Sequence, residues 1–323
     1  MKTVPFLDAV LGQDPIIVID GGARNGTFEL GRLAPYIHVY GFEPNHAEYE
    51  KLLTGKTDLY MASRAGTPRY AKNTICPVAL GHVDGPQTLY ITKGPGACSL
   101  VPPNRSLTDQ YATTYASVFE VIDTQHVECA TLDTIMKQQH LSYLDYIKLD
   151  TQGNEHEILF AHPEVLDRVS VIKSEVEFVE TYQQQHLFAD IDTGLRKAGF
   201  QFIDMVIGPE KRIGRDMLRR QRGTYELLWA DAYWARTLGD EERRRQPARA
   251  LKQALTVMEL GYVDYGLFLL RQLGAMYDPA WLDAIQAYYA RERRTLKRYI
   301  PRPVKTALKQ VYHACTGQPV TAR

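Results

Sequence analysis

Three short segments carry residues whose types and spacing could do chemistry. The first is Asp20-Gly21-Gly22-Ala23-Arg24-Asn25-Gly26 and the second is Glu43-Pro44-Asn45. The third is Lys148-Leu149-Asp150-Thr151-Gln152-Gly153-Asn154-Glu155. A dinucleotide turn wants G-x-G-x-x-G, because backbone must approach a pyrophosphate. Here Ala23 stands where the second glycine of that motif would be. Spaced as Asp20-x-Gly22-x-x-x-Gly26, the turn puts an acid before a looser glycine bend, which suits a cationic ligand without phosphate. S-adenosylmethionine is such a ligand, since its ammonium and sulfonium charges favour a nearby carboxylate. Glu43 then accepts from both ribose hydroxyls, because a carboxylate offers two acceptor oxygens. Alone, the glycine pair is equally an ordinary tight turn, and Glu43 a solvated strand end. Their separation by one βαβ step makes the combination more specific. Gly22, Ala23, Asn25, Gly26, Pro44 and Asn45 join Asp20 and Glu43 as the expected cofactor contacts.

The third segment is expected to hold the reacting groups. Asp150 ends a central strand and is the first candidate for general base or substrate orienter. Glu155 opens the next helix and could face the same cleft, and Lys148 and Glu175 point to the same edge. Three of them have a structural alternative. Glu155 suits the first turn of a helix on dipole grounds, Asp150 could be a helix cap, and Lys148 could pair with a neighbouring acid. Ser99, in Gly96-Ala97-Cys98-Ser99-Leu100, is expected to touch cofactor or substrate, or to be solvated. His156 and His186 read as surface or helix residues. There is no HExxH, and the nine histidines show no metal-ligand spacing along the chain, so no metal is expected.

These groups need strands ending in acids. Ile16-Ile17-Val18-Ile19-Asp20 is an apolar β-branched run without alternation, the pattern of a strand covered on both faces. Further strands are expected over 38–43, 74–80, 87–92, 127–131, 146–150, 169–176, 201–207 and 224–229. Helices are expected over 27–35, 45–53, 106–120, 132–140, 154–161 and 190–198. Asn45 is a good cap for its helix, and Gly199 a good terminator. This alternation implies a doubly wound parallel sheet. The last two strands, with a basic loop over 211–222 between them, imply an antiparallel edge hairpin. Ligands on such a sheet sit at the carboxyl ends of the strands.

Beyond 239 the character changes. Leu251, Leu255, Met258 and Tyr262 make a helical stripe, and further helices follow over 267–273 and 281–289. The chain divides in this reading into 1–238 and a helical extension, 239–323. The whole sequence has 38 Lys/Arg and 38 Asp/Glu. The balance is uneven: residues from 240 onward hold 15 basic against 8 acidic, the rest 23 against 30. Zero net charge argues against a nucleic-acid coat protein. No apolar run reaches the ~18 residues of a membrane span, and the opening Met-Lys-Thr-Val-Pro-Phe-Leu-Asp is too weakly apolar for a signal peptide. Cys76, Cys98, Cys129 and Cys315 form no CxxC pair, so a reduced, cytoplasmic setting is expected.

Six separated blocks, in order over roughly 16–235, resemble the FkbM-type methyltransferases. They are Ile19 to Gly26 with Gly41-Phe42-Glu43-Pro44-Asn45, Thr131-Leu132-Asp133, Ile147 to Glu155, Glu175-Val176-Glu177-Phe178, His186-Leu187-Phe188-Ala189-Asp190, and Leu227-Leu228-Trp229-Ala230-Asp231. Gln152 stands in place of the family's usual glutamate, and Asn154 in place of its alanine. The resemblance implies a class I, Rossmann-like α/β fold with a seven-stranded doubly wound sheet. It also implies S-adenosyl-L-methionine as cofactor and O-methylation of a sugar, glycan or natural-product hydroxyl.

The acceptor is then a small molecule or glycan, with no nucleic-acid partner. The basic, amphipathic stretch 291–312 suits contact with an anionic membrane face, or a dimer contact within an oligomer. Two other readings compete: a nicotinamide-dependent oxidoreductase, which Ala23 disfavours, and a non-catalytic methyltransferase-like module recruiting partners through its C-terminal helices.

Overall fold

The computed structural model describes residues 5–24, 26–27, 29–55, 68–207, 211–215, 225–274 and 276–299. Helix α1 (Pro5–Leu11) leads into β1 (Ile16–Gly21), all but one of whose residues are buried. Strand β2 (Ile37–Phe42) pairs in parallel with β1. Helix α2 (His46–Thr54) follows, its N-terminus capped by the Asn45 side chain, which accepts from Ala47 N at 3.0 Å. Next come β3 (Lys72–Cys76), the short β4 (Ala79–Leu80) and β5 (Gly85–Thr92). The following loop carries short helices α3 (Arg105–Thr108) and α4 (Thr113–Ala116).

Strand β6 (Val121–Ala130) pairs with β4 and β5 in a small second sheet. After α5 (Leu132–Gln138) come the central strand β7 (Leu144–Leu149), α6 (Glu155–Phe160) and β8 (Val169–Glu177). Helix α7 (Phe188–Lys197), β9 (Phe200–Val206), the small hairpin β10 (Arg212–Ile213) and β11 (Glu226–Leu227), and β12 (Trp229–Arg236) follow. The C-terminal helices are α8 (Asp240–Arg245), α9 (Pro247–Glu259), α10 (Val263–Arg271) and α11 (Pro279–Tyr299).

The main sheet runs β3-β2-β1-β7-β8-β12-β9. Strand β12 is antiparallel to both its neighbours and the other pairings are parallel. The tips of β1, β2, β7 and β8 therefore meet at one edge, where the order reverses around β1. The antiparallel edge falls where the sequence pattern puts it. However, the last strand begins at Trp229, where alternating apolar residues allow one face of WADAYWAR to meet the core.

Two further differences are informative. The helix expected over 27–35 is a series of turns over 29–33 closed by a 3₁₀ turn, Ala34–Tyr36. Gly26, Gly31 and Pro35 raise the cost of a helix here. Leu30 and Leu33 are nevertheless fully buried, and Glu29 turns inward to Tyr146 and Lys173. The face is covered instead by α9, which is buried from Arg249 to Glu259 and packs on β7 and β8. The expected helix over 106–120 is broken into α3, α4 and a 3₁₀ turn, Ser117–Phe119. Strand β6 starts earlier than its apolar pattern, because Val121–Gln125 is largely solvent-exposed and carries no buried face.

One apolar core fills the sheet face under α5, α6 and α7, around Ile147, Ile172 and Trp234. The other joins Ile16, Val18 and Tyr146 to Leu251, Leu255, Met258 and Leu270 of the C-terminal helices. Among the described residues, no helix is long and apolar enough to cross a membrane.

A candidate active site at the strand tips

A cleft of about 460 Å³ opens where β1, β2, β7 and β8 end. Its near end is formed by Gly22, Phe42, Glu43, Pro44 and Asn45, and its floor by Asp150, Gln152, Asn154, Glu175 and Glu177. The loop after β5, including Ala97, Cys98 and Ser99, forms one wall. Tyr115, Phe119, Tyr182 and Trp229 form the far wall.

The first glycine turn is built for close approach. Gly22 has φ of 73°, and a Cβ there would lie 2.0 Å from the Asp150 carbonyl oxygen. Glycine is therefore required for the β1 and β7 turns to touch. The backbone N–H groups of Gly22 and Ala23 both donate to Phe42 O, at 3.1 and 3.0 Å, and Gly26 N donates to Ala23 O at 2.7 Å. Ala23 is fully buried beneath the turn, and neither it nor Gly26 lines the cleft. Asn25 lies outside the described residues.

Asp20 does not reach the cleft either. It is fully buried, pairs with Lys148 Nζ at 2.9 Å and accepts from Thr27 Oγ1. Lys148 also donates to Gly22 O at 2.9 Å and stands 3.8 Å from Asp150. Burial opposes the Lys148 charge, but the carboxylates of Asp20 and Asp150 outweigh it and push its pKa up. The expected cofactor-side acid and the expected reacting lysine thus form a strut beneath the site, because they are direct register partners on neighbouring strands.

Glu43 lies in the cleft wall, its Oε1 accepting from Asn45 N at 2.9 Å. Burial raises its pKa to about 7, against the pull of that hydrogen bond. Pro44 and Asn45 line the same end, and Asn45 Nδ2 approaches Cys98 Sγ at 3.6 Å. Ser99 lines the wall but is committed to backbone, donating to Gln152 O at 2.6 Å and accepting from Val101 N at 2.9 Å.

On the floor, Gln152 Nε2 donates to Asp150 Oδ1 at 2.7 Å and to Glu175 Oε2 at 2.6 Å. Gln152 holds φ of 64°, a left-handed conformation that a non-glycine residue adopts at a cost. Tyr182 OH lies 2.9 Å from Gln152 Oε1 and 3.1 Å from Ala97 O. Burial raises the Asp150 carboxyl, but Lys148 and the Gln152 amide outweigh it and hold the pKa below its ordinary value. Burial, together with Asp150 and Glu177, drives Glu175 well upward. The bridging amide thus links one carboxyl held below its ordinary value to one driven well above it.

Glu155 is turned away from the cleft. Its Oε1 accepts from Thr151 N at 2.6 Å and its Oε2 from Gly153 N at 2.9 Å. It closes the turn that carries Gln152, a positional role set by the reach of an acid at the first helical residue.

The sequence reading gave no site role to Glu177, Asn154, Tyr182, Tyr115 or Trp229, and noted Asn154 only as a departure from the family's alanine. Glu177 carried a signal, since it is two residues beyond Glu175 on the same strand and therefore on the same face. Trp229 pairs opposite Glu177, which only the tertiary register discloses. Asn154 Oδ1 is buried in the cleft without a hydrogen-bond partner.

A seven-stranded sheet of this order, with its penultimate strand position reversed and a cleft at the parallel strand tips, defines a class I methyltransferase fold. Residues 20–202 match the sequence model of the methyltransferase FkbM domain. The chain belongs to this family, and its cofactor is S-adenosylmethionine.

No curated protein matches the chain. Among solved structures, it is similar to magnesium protoporphyrin IX methyltransferase from Synechocystis with bound S-adenosylmethionine. That match has 12% identity over 72% of this chain and 79% of that one, with a TM-score of 0.33. It is also similar to precorrin-6y C5,15-methyltransferase from Geobacter metallireducens, with 11% identity over 73% and 90% of the two chains and a TM-score of 0.34.

The residues present fit the cofactor. Phe42, Leu80, Leu89 and Leu100 offer apolar contact for a base, and Glu43 offers acceptors for a ribose diol. The unpartnered Asn154 Oδ1 suits an amino donor.

Proposed function

We propose that this methyltransferase methylates a hydroxyl oxygen on a sugar, glycan or related natural product. The observation that carries the reading is the Asp150–Gln152–Glu175 bridge facing a wall of aromatic rings. Tyr115 and Trp229 stack with ring centroids 5.9 Å apart and planes 12° from parallel. Phe119 packs edge-on to Tyr115 and to Tyr182. Flat aromatic faces next to carboxyl groups suit a ring that is apolar on its faces and hydroxylated at its rim.

S-adenosylmethionine supplies an electrophilic methyl whose bond to sulfur breaks with the electron pair leaving on sulfur. The chain's own work is alignment and proton removal. Asp150, kept ionised by Lys148, accepts the acceptor hydroxyl and takes its proton as the new carbon–oxygen bond forms. Gln152 fixes the Asp150 carboxylate, and Tyr182 fixes Gln152. Glu175, protonated, orients a second hydroxyl of the acceptor. The aromatic wall excludes water, which would otherwise compete for the same position. Alignment of this kind contributes up to roughly 7–11 kcal/mol, and a positioned base adds about 10²–10⁴-fold.

The test measures S-adenosylhomocysteine release with a panel of hydroxylated acceptors, alongside calorimetric cofactor affinity. Asp150→Asn is expected to lower turnover by about 10²–10⁴-fold while cofactor affinity changes only a few-fold. Unchanged turnover would remove Asp150 from this role. Methyl transfer to amine or carbon acceptors alone would overturn the hydroxyl reading.

A further inference from the structure

We infer that His156, Glu157 and His186 form a binding site for a divalent transition metal of the zinc type, outside the cleft. The inference is independent of the acceptor reading. His156 and Glu157 lie in the first turn of α6, and His186 lies just before α7. No spacing along the chain signals the set, because the fold alone brings the two segments together.

Glu157 Oε1 is 3.6 Å from His156 Nδ1 and 3.4 Å from His186 Nε2. One potential ligand atom from each residue lies within 4.8 Å of the other two. Metal–ligand bonds of about 2.0–2.1 Å in a tetrahedral site put neighbouring ligand atoms roughly 3.3 Å apart. Side-chain rotation of the two imidazoles is what closes the set from 4.8 Å to that spacing. The two imidazoles stack with centroids 3.7 Å apart and planes 24° from parallel, so a shared metal requires the rings to turn out of that stack until each presents a nitrogen beside the carboxylate.

Two further observations point to a cation. Glu157 Oε2 is buried without a hydrogen-bond partner, a cost that a bound cation relieves. His186 Nδ1 lies 3.7 Å from Asp190 Oδ2, and that oxygen is itself fixed by Leu187 N at 2.9 Å. At 3.7 Å the carboxylate is not hydrogen-bonded to the ring, but on closing to Nδ1–H it would set the tautomer that leaves Nε2 free for metal. The His186 side chain is 45% exposed, so water can complete the coordination. Two imidazoles and a carboxylate select zinc and late first-row metals over magnesium, which prefers oxygen ligands.

The position gives the metal a purpose. Helix α6 begins at the turn holding Gln152 and Asn154, and His186 follows Tyr182, whose hydroxyl meets Gln152. A metal here ties the segment that carries part of the cleft floor to the one that carries Tyr182 of its far wall.

The test uses the full chain freed of metal by chelator and then of chelator. Zinc chloride is titrated calorimetrically, with magnesium chloride as comparison, and thermal unfolding is followed with and without zinc. One zinc per chain, a rise in Tm and no magnesium binding are expected. Asp190→Asn should weaken zinc binding by about 10–100-fold. His156→Ala/His186→Ala, checked for native circular dichroism, should lose both the binding and the Tm shift. Cobalt(II) should give visible absorption without a thiolate band. Absent zinc binding, equal binding by the double variant, or a thiolate band would overturn the site.

Discussion

A carboxylate shut away from solvent at position 20 must be matched, and Lys148 Nζ at 2.9 Å matches it. Burial pushes the Asp20 carboxyl upward against the pull of Lys148. Removing the ammonium leaves that acid without its partner, so Lys148→Met is expected to cost about 3–5 kcal/mol of stability. Asp20→Asn/Lys148→Met should recover part of the loss. A denaturant midpoint unchanged by Lys148→Met would show that the pair contributes nothing. Glu43 poses a different question, because its ordinary value of 4.5 is raised to about 7 by burial. The folded chain thus keeps a proton that the unfolded chain releases, and this group's contribution to stability is lost as pH rises through that window. Ligand binding runs the other way. A ribose diol donates best to the ionised form, so calorimetric S-adenosylhomocysteine affinity should rise between pH values below and above about 7. Glu43→Gln should flatten that rise and weaken binding by roughly 10–100-fold, the equivalent of a hydrogen bond to a charged group. A wild-type affinity independent of pH would separate Glu43 from the cofactor. At this scale the sequence marked most acids at the strand tips, but it could not tell a lining acid from a sealed one. Asp20 is the penultimate residue of β1 and Glu43 follows directly on β2. Their fates differ because Lys148 is the register partner of Asp20 and not of Glu43.

The elements that hold these groups apart or together are the turns after β1 and β7. Asp150 N donates to Gly21 O at 3.0 Å, and the Asp150 carbonyl fills the space where a Gly22 Cβ would be. Gly22→Ala must therefore either separate the two turns or force a positive φ on alanine. We expect a loss of about 1–3 kcal/mol from the backbone conformation alone, with cofactor affinity falling more than stability does. Thermal unfolding and calorimetry on the same variant check this. Full retention of affinity would mean that the turns need not touch. The strands were legible because Ile16–Ile19 is a β-branched run, and Val169, Val171 and Ile172 nearly one, of the kind that a doubly covered sheet accommodates. The segment after β1 was not, because its apolar positions fit a helical stripe while Gly26, Gly31 and Pro35 favour turns. The aromatic wall escaped notice for a related reason. Tyr115, Tyr182 and Trp229 come from separate elements and have no common period in the sequence.

Across the whole molecule, the C-terminal helices complete a sheet face that the chain after β1 covers only with turns. Helix α9 inserts Arg249 onto Val169 O and Asp167 O, and Gln253 onto Ser170 O and Arg236 O. Lys252 meets Asp14 at 2.5 Å, and Glu259 accepts from Arg32 N at 2.7 Å. These partners come from β8, β12 and the segments on either side of β1, so α9 is stitched to both halves of the parallel sheet. Leu255 is fully buried in the core shared by Ile16, Val18 and Tyr146. Leu255→Ala is expected to destabilise the protein by about 2–5 kcal/mol. Because the same core contains strands whose tips form the cleft, the loss should appear in one cooperative transition followed equally by far-ultraviolet circular dichroism and by release of bound S-adenosylhomocysteine. An independent helical unit would behave otherwise: Leu255→Ala would then melt helix at low denaturant while the cleft kept its ligand to the wild-type midpoint. Two separated transitions in the variant would thus show that residues beyond 239 merely rest on the sheet, whereas a single shifted one would make them part of the scaffold that positions Glu43, Asp150 and Glu175.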